Sequence, residues 1–262
     1  MNSILPQQRQ ALAKLIQRYH KARAGSLVDF IELTVSDDHG NKLRLAQLHR
    51  QWVAHLHYCW ERELKAMIIA PFGHGKSSSL AVPLIAHTLG MDPNSRVKII
   101  TNDDASARKR TAAVKTIIDS PAYARIFPYT KPGKKWTDHE MYLQRAGHSI
   151  DPSVHARGVL TTGIGGRADF IVFDDAVDQK NAMDKAQRDK VLNLIESTWL
   201  SRLEPDGKVL YIGTPWHLDD ATHHLQQRKG WCTLIHKVSE DCMSIEQELL
   251  GAIDNQYPLV KE

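Results

Sequence analysis

"MIIAPFGHGKSSSL", Met67 to Leu80, runs from a short apolar stretch into two glycines, a lysine and three serines before turning apolar again. A phosphate-binding loop asks for glycine, four residues, then Gly-Lys and a hydroxyl residue. Backbone N–H groups wrap the phosphates, the lysine reaches the outer ones, and Ser or Thr reaches Mg²⁺. Gly75, Lys76 and Ser77 fit, and Gly73, His74 and Ser78 complete the stretch expected against a nucleotide; Ala70 stands where the first glycine belongs. Met67–Ile69 reads as a short buried strand and Ser78–Leu89 as a helix, the confirming order. The helix N-terminus adds unpaired N–H groups and a positive dipole end. Taken alone, the stretch also reads as a glycine turn with an N-cap serine and a solvated Lys76.

A chain of 262 residues with 42% hydrophobic content can bury a substantial core, as one large domain or one domain with a small appendage. No apolar run approaches the roughly 18 residues that span a bilayer. The N-terminal "MNSILPQQRQALAKLIQRYHKAR" is too polar for a secretory signal, so the expected location is the cytoplasm, away from membranes. Cys59, Cys232 and Cys242 have neither the count nor the spacing of a disulfide framework or zinc site and read as small buried residues. A net charge of +4 is compatible with nucleic acid but falls short of a dense basic footprint.

Residues 1–40 read as a helical lead-in, with Leu5, Leu12, Leu15 and Ile16 as an approximate apolar face that serves as a lead-in element or a subunit contact. "LRLAQLHRQWVAHLHYCW" reads as a helix built on Leu48, Trp52, Leu56 and Trp60, feeding the loop strand. Downstream, Val97–Thr101 reads as a strand and "DASARKRTAAVKTIID" as a helix from near Asp104. A turn-rich stretch follows, with Met141–Leu143 as one arm of a hairpin. "ADFIVFDD" and "KVLYIGTP" are apolar, β-rich runs separated by a helix around "AQRDKVLNLIESTWLSRL". Strands alternating with helices predict an α/β domain over 41–235, followed by a C-terminal segment, 236–262.

Phe170–Phe173 followed by Asp174-Asp175 is an apolar strand ending in two carboxylates. Buried parallel strands are apolar on both faces, and ligands sit beyond their C-terminal ends. Asp174 is expected to hold Mg²⁺ together with Ser77, through water on the aspartate side. Asp175 is expected to orient or deprotonate an attacking water, since in-line phosphoryl transfer needs a positioned nucleophile more than covalent chemistry. The pair reads equally as N-cap residues opening a helix. In "VLYIGTPWHLDD", Gly213-Thr214 ends a third strand, where a hydroxyl can sense an outer phosphate through one hydrogen bond; a plain strand-to-turn transition is the other reading.

These three elements, in this order, resemble the ATPase domain of the large terminase subunit, the motor that packages DNA in tailed bacteriophages. "APFGHGKS" is similar to that family's phosphate loop, "GIGGRADFIVFDDAVD" to its acidic strand, and "RLEPDGKVLYIGTPWHLDD" to its coupling segment, the most specific of the three. The resemblance spans roughly residues 45 to 230, and "LAQLHRQWV" is similar to the segment that contacts adenine, with Gln47 as the expected contact. It implies an ASCE-type, mostly parallel sheet flanked by helices, ATP and Mg²⁺ as cofactors, and ATP hydrolysis driving double-stranded DNA. It also implies a homo-oligomeric ring, with portal and small terminase subunit as partners. An arginine is expected to reach a neighbour's ATP: Arg167 is the first candidate, Arg157 the second, and a surface pairing of Arg167 with Asp169 the alternative.

Two positions depart from the family pattern. Phe72 stands where many relatives carry a phosphate-loop arginine, so its contact to phosphate or carboxylate is lost or supplied elsewhere. Pro215 follows the coupling threonine where arginine is frequent. The family's second half is a nuclease using clustered carboxylates; the residues after the motor motifs are too few for it, and no nuclease activity is expected of this chain. Lys109, Arg110, Lys134 and Lys135 read as DNA-backbone contacts or as solvated charges. The rival readings are one lobe of a two-lobe helicase and a nucleotide sensor that does not hydrolyse; the second carboxylate, Asp175, speaks against a sensor.

Overall fold

The computed structural model describes residues 5–37, 39–145, 149–161 and 165–237. Its helices are α1 Pro6–Arg23, α2 Leu27–Thr34, α3 Gln47–Trp60, α4 Val82–Met91, α5 Asp104–Ile118, α6 Pro121–Ile126, α7 Gln179–Ala182, α8 Lys185–Asn193 and α9 Ala221–Gln226. The strands are β1 Lys65–Ile69, β2 Val97–Thr101, β3 Pro132–Trp136, β4 Glu140–Leu143, β5 Val154–Gly158, β6 Ala168–Asp174, β7 Leu203–Gly213 and β8 Trp231–Ile235. They form one eight-stranded sheet in the order β3-β4-β5-β2-β6-β7-β1-β8. The pairs from β5 across to β8 are parallel, and the β3–β4 hairpin adds antiparallel at one edge.

Strands buried on both faces need apolar residues on both, which is why "AMII" and "FIVF" show no polar alternation. Ala66, Ile68, Val97, Ile99, Phe170, Val172, Leu210 and Ile212 point into the core shared with α2–α6. Met67, Ile69, Ile100, Ile171, Phe173, Val209 and Tyr211 point into the opposite core, closed by Val191 of α8, Ile195 and Trp199 of the following π-helical turn, and Leu225 of α9. All polar catalytic candidates are thereby left to the strand ends.

β1 and β6 are not neighbours, because β7 lies between them. The loop after β1, the carboxylates at the end of β6 and Gly213 at the end of β7 therefore meet at one edge of the sheet. β5, β8, α2, α6 and α9 were not expected from the sequence. "VHARG" and "WCTLI" are five-residue strands without a flanking hydrophobic run, held by their neighbours rather than by their own pattern. The helix beginning near Asp104 is capped by Asp103, whose side chain accepts from Ser106 N–H. Asp104 instead accepts from Gly158 N–H and Thr161 Oγ1.

Within the chain α1 does not pack through Leu5, Leu12, Leu15 and Ile16, which are exposed. The helix is tied down through its polar residues, Arg18 to Asp29 and Glu32 at 2.8 Å each and Arg23 to the carbonyls of Ile126 and Arg125. Cys59 is buried and Cys232 half-buried, and the two are not joined in a disulfide, while Cys242 and most of the segment 236–262 lie outside the described residues. No helix among the described residues is long and apolar enough to cross a membrane.

Helix α4 meets Phe127 at Gly90, where an added Cβ would lie 2.1 Å from the ring. Phe127 is held in turn by Phe30, His87 and Tyr123. Gly90→Ala is therefore expected to destabilise the fold by about 1–3 kcal/mol through overpacking, read as a lower urea midpoint with an unchanged slope.

Candidate nucleotide-binding site

The loop between β1 and α4 turns on two glycines with left-handed backbone, Gly73 at φ 84° and Gly75 at φ 68°. A side chain at Gly75 would also meet Ser79 Oγ at 2.8 Å. Ala70 has no such φ, since it extends β1 and is bonded from its N–H to Gly213 O at 3.2 Å. The missing first glycine is thus conformationally unnecessary. Phe72 is 86% exposed at the loop tip. The helix opens with a π-helical turn, Ser77–Ala81.

Lys76 is 4% exposed and reaches across the loop mouth. Its ammonium donates to Ala70 O at 3.1 Å, Pro71 O at 3.0 Å and Thr214 Oγ1 at 2.8 Å, and lies 3.9 Å from Asp175 Oδ1. Thr214 in turn donates to Ala70 O at 3.1 Å. The end of β7 is thus wired to the loop through a lysine and a hydroxyl. Burial pulls the Lys76 ammonium below its ordinary pKa, against the two aspartates.

Ser77 Oγ donates to Asp174 Oδ1 at 2.8 Å. Asp174 is 1% exposed, and its other oxygen is held by Arg110 Nε of α5. A hydroxyl and a buried carboxylate side by side form an oxygen-only donor set that fits Mg²⁺. Asp175 has a left-handed backbone, φ 48°, a conformation that Asp and Asn tolerate better than most residues. This turn takes it off the strand line and brings its carboxylate to Lys76. It is 32% exposed, and burial raises its pKa above the usual carboxylate value, with Lys76 opposing and Asp174 reinforcing the shift. Neither aspartate caps a helix: Asp178 caps α7.

The structure brings together Lys76, Ser77, Asp174, Asp175, Gly213 and Thr214. Gln47 is exposed at the first residue of α3, and His49 two residues on bonds His74 O at 3.1 Å, which sets that helix start against the loop. The Ser78 hydroxyl turns back to Gly75 O at 3.4 Å. Arg167 is not brought into the site. It precedes the first residue of β6, and Asp174 is the last, so about 23 Å of strand separates them. Asp169 does not pair with Arg167 either; Arg96 holds it at 2.7 Å, and Arg167 meets Asp151 through its backbone N–H. Arg157 lies on β5 opposite Ile100, its Nη1 on Ala156 O.

Arg110 is the site residue that the sequence reading placed elsewhere, among DNA-backbone or solvated charges. Its signal was present: it falls in the stripe Ala107, Thr111, Val114 that α5 buries, where a charge needs a partner. Lys135 likewise has a protein partner, Glu140.

The parallel sheet, the glycine-turned loop at the end of β1 and the acidic strand separated from it by β7 define a P-loop NTPase fold of the ASCE type. No family model matches the chain. In an alignment 218 positions long that covers 74% of this chain, it is 27% identical to the terminase large subunit of Enterobacteria phage T3, and the match takes in 37% of that protein. The chain thus spans little more than a third of that relative's length. The large terminase of bacteriophage HK97 shares the fold with a TM-score of 0.57 at 9% identity, over 88% of this chain and 51% of that one. The ATPase domain of the Thermus phage P74-26 large terminase, in a mutant form, gives a TM-score of 0.47 at 17% identity over 82% of this chain and 95% of that domain. The resemblance to phage large terminase subunits is met in sequence by the phage T3 protein and in fold by the HK97 protein.

Proposed function

We propose that this chain is the ATP-hydrolysing motor domain of a phage DNA-packaging terminase, coupling hydrolysis to translocation of double-stranded DNA. The observation that carries the reading is the contact of Lys76 with Thr214 beside that of Ser77 with Asp174, which joins all three motifs in one cleft. Loop N–H groups and Lys76 hold the phosphates of ATP, exchanging the carbonyls of Ala70 and Pro71 for phosphate oxygens. Ser77 and Asp174 hold Mg²⁺, which when bound neutralises charge on the phosphates. Asp175 orients a water and accepts its proton. Thr214 loses or regains Lys76 as the outer phosphate comes and goes, and passes that change into β7. Gln47 at the start of α3 meets the adenine.

Arg167 lies at the far end of β6 from its own site, which suits a residue acting on the ATP of a neighbouring subunit. The proposal therefore includes a homo-oligomeric ring on DNA, with portal and small terminase subunit as partners in the host cytoplasm. Phosphate release from ATP, followed over a protein concentration series without DNA, with duplex DNA and with single strands, tests the reading. A motor gives duplex-stimulated turnover that rises steeper than linearly with protein. Stimulation by single strands alone favours a helicase lobe, and ATP binding without turnover favours a sensor.

Since burial raises the Asp175 pKa, a base at this position loses activity as pH falls through a midpoint above the ordinary 3.8. The acid limb of the ATPase profile is expected there and should vanish from the residual activity of Asp175→Asn. A limb that survives the substitution belongs to another group.

A further inference from the structure

Between Ala70 and Lys76 the loop carries Pro71, Phe72, Gly73, His74 and Gly75, with no arginine. The cation beside the acidic strand comes instead from α5. Arg110 donates from Nε to Asp174 Oδ2, while Ser77 occupies Oδ1. A carboxylate this deeply buried is costly unless a charge faces it; Arg110 is that charge. Among the described residues, Nη1 and Nη2 of the same guanidinium have no hydrogen-bond partner, and the side chain remains 25% exposed. The four N–H donors on these two nitrogens of a rigid fork are thus unused at the rim of the cleft.

We infer that Arg110 is a phosphate-sensing arginine acting within its own subunit: it pairs with Asp174 when no divalent cation does, and transfers to the outer phosphate of ATP when Asp174 engages one. The inference rests on the reading of the site as ATP-hydrolysing and adds its regulation. A guanidinium and a divalent cation on one carboxylate repel each other, so Arg110 is released as the cation binds. Its fork geometry matches phosphate oxygens as well as it matches a carboxylate. With ADP the outer phosphate is missing and Arg110 keeps its hold on Asp174, in competition with the cation. The two ligands of the site are thereby coupled: a phosphate that takes the arginine strengthens the cation's hold, and the converse follows.

The test uses the full chain, with fluorescent ATP and ADP analogues titrated in Mg²⁺ and with Mn²⁺ alone followed by its free-ion spin resonance. Arg110→Ala and Arg110→Gln are compared with wild type; the glutamine keeps a donor for Asp174 and serves where alanine does not fold. The ATP-to-ADP affinity ratio is expected to fall about tenfold or more, the worth of a charge-assisted hydrogen bond. Mn²⁺ alone is expected to bind more tightly to both variants. A folded Arg110→Gln with the wild-type ratio overturns the inference, as does equal loss of ATP and ADP, which a merely structural contact would give. Mn²⁺ affinity that stays or falls overturns the exchange at Asp174. If wild type binds neither nucleotide, or Lys76→Ala binds both as wild type does, the ATP reading itself fails, separately from Arg110.

Discussion

Asp175→Asn is expected to bind Mg²⁺ and ATP as the parent chain does and to hydrolyse ATP about 10³-fold more slowly, the usual worth of a positioned base. The amide keeps the shape of the carboxylate but cannot accept the proton of water. It also keeps the fold, because asparagine tolerates the left-handed backbone that the position adopts, φ 48°. Asp174, the proposed metal ligand, is untouched, so nucleotide affinity should hold. Single-turnover hydrolysis alongside equilibrium binding separates the two quantities.

Asp174→Asn should fail in the opposite way. A neutral oxygen attracts a divalent cation less than a carboxylate does, so the Mg²⁺-dependent part of nucleotide affinity should drop, by about tenfold or more. The chain should still fold, because Arg110 is 25% exposed and its guanidinium can reach water when its partner charge is removed. Titration of a fluorescent ATP analogue into both variants, with Mg²⁺ and with EDTA, assigns the roles. If Asp175→Asn loses the Mg²⁺-dependent affinity and Asp174→Asn keeps it, the two carboxylates have been assigned in reverse.

The pair was legible in the sequence because its position is set by a local pattern: four apolar residues with no polar alternation, then two acids at the point where a buried strand must end. Lys76 and Ser77 were legible for the same reason, as a glycine turn fixes which side chains follow it. Thr214 was legible as a hydroxyl at a strand end placed to sense an outer phosphate, but not its partner: its bond to Lys76 joins positions 138 residues apart, and only the insertion of β7 between β1 and β6 creates it. Arg110 lies in the stripe that α5 buries, a sign that it needs a partner, but 64 residues separate it from Asp174 and nothing local names that partner. The short strands β5 and β8 escaped because five residues against a formed sheet need little pattern of their own. The apolar face of α1 was legible as a stripe, yet the fold uses the helix's arginines instead.

The most direct test of the central claim is phosphate release from ATP in Mg²⁺ by the wild-type chain and Lys76→Ala, measured side by side. Lys76 bridges the loop to Thr214 and stands beside Asp175, so its removal takes away the link to β7 and, on the proposed reading, the grip on the outer phosphate. The predicted result is steady release by wild type and a rate lower by about 10² or more in Lys76→Ala, with the circular dichroism spectrum unchanged. Equal release from both proteins, or none from wild type at any protein concentration with or without duplex DNA, would contradict it.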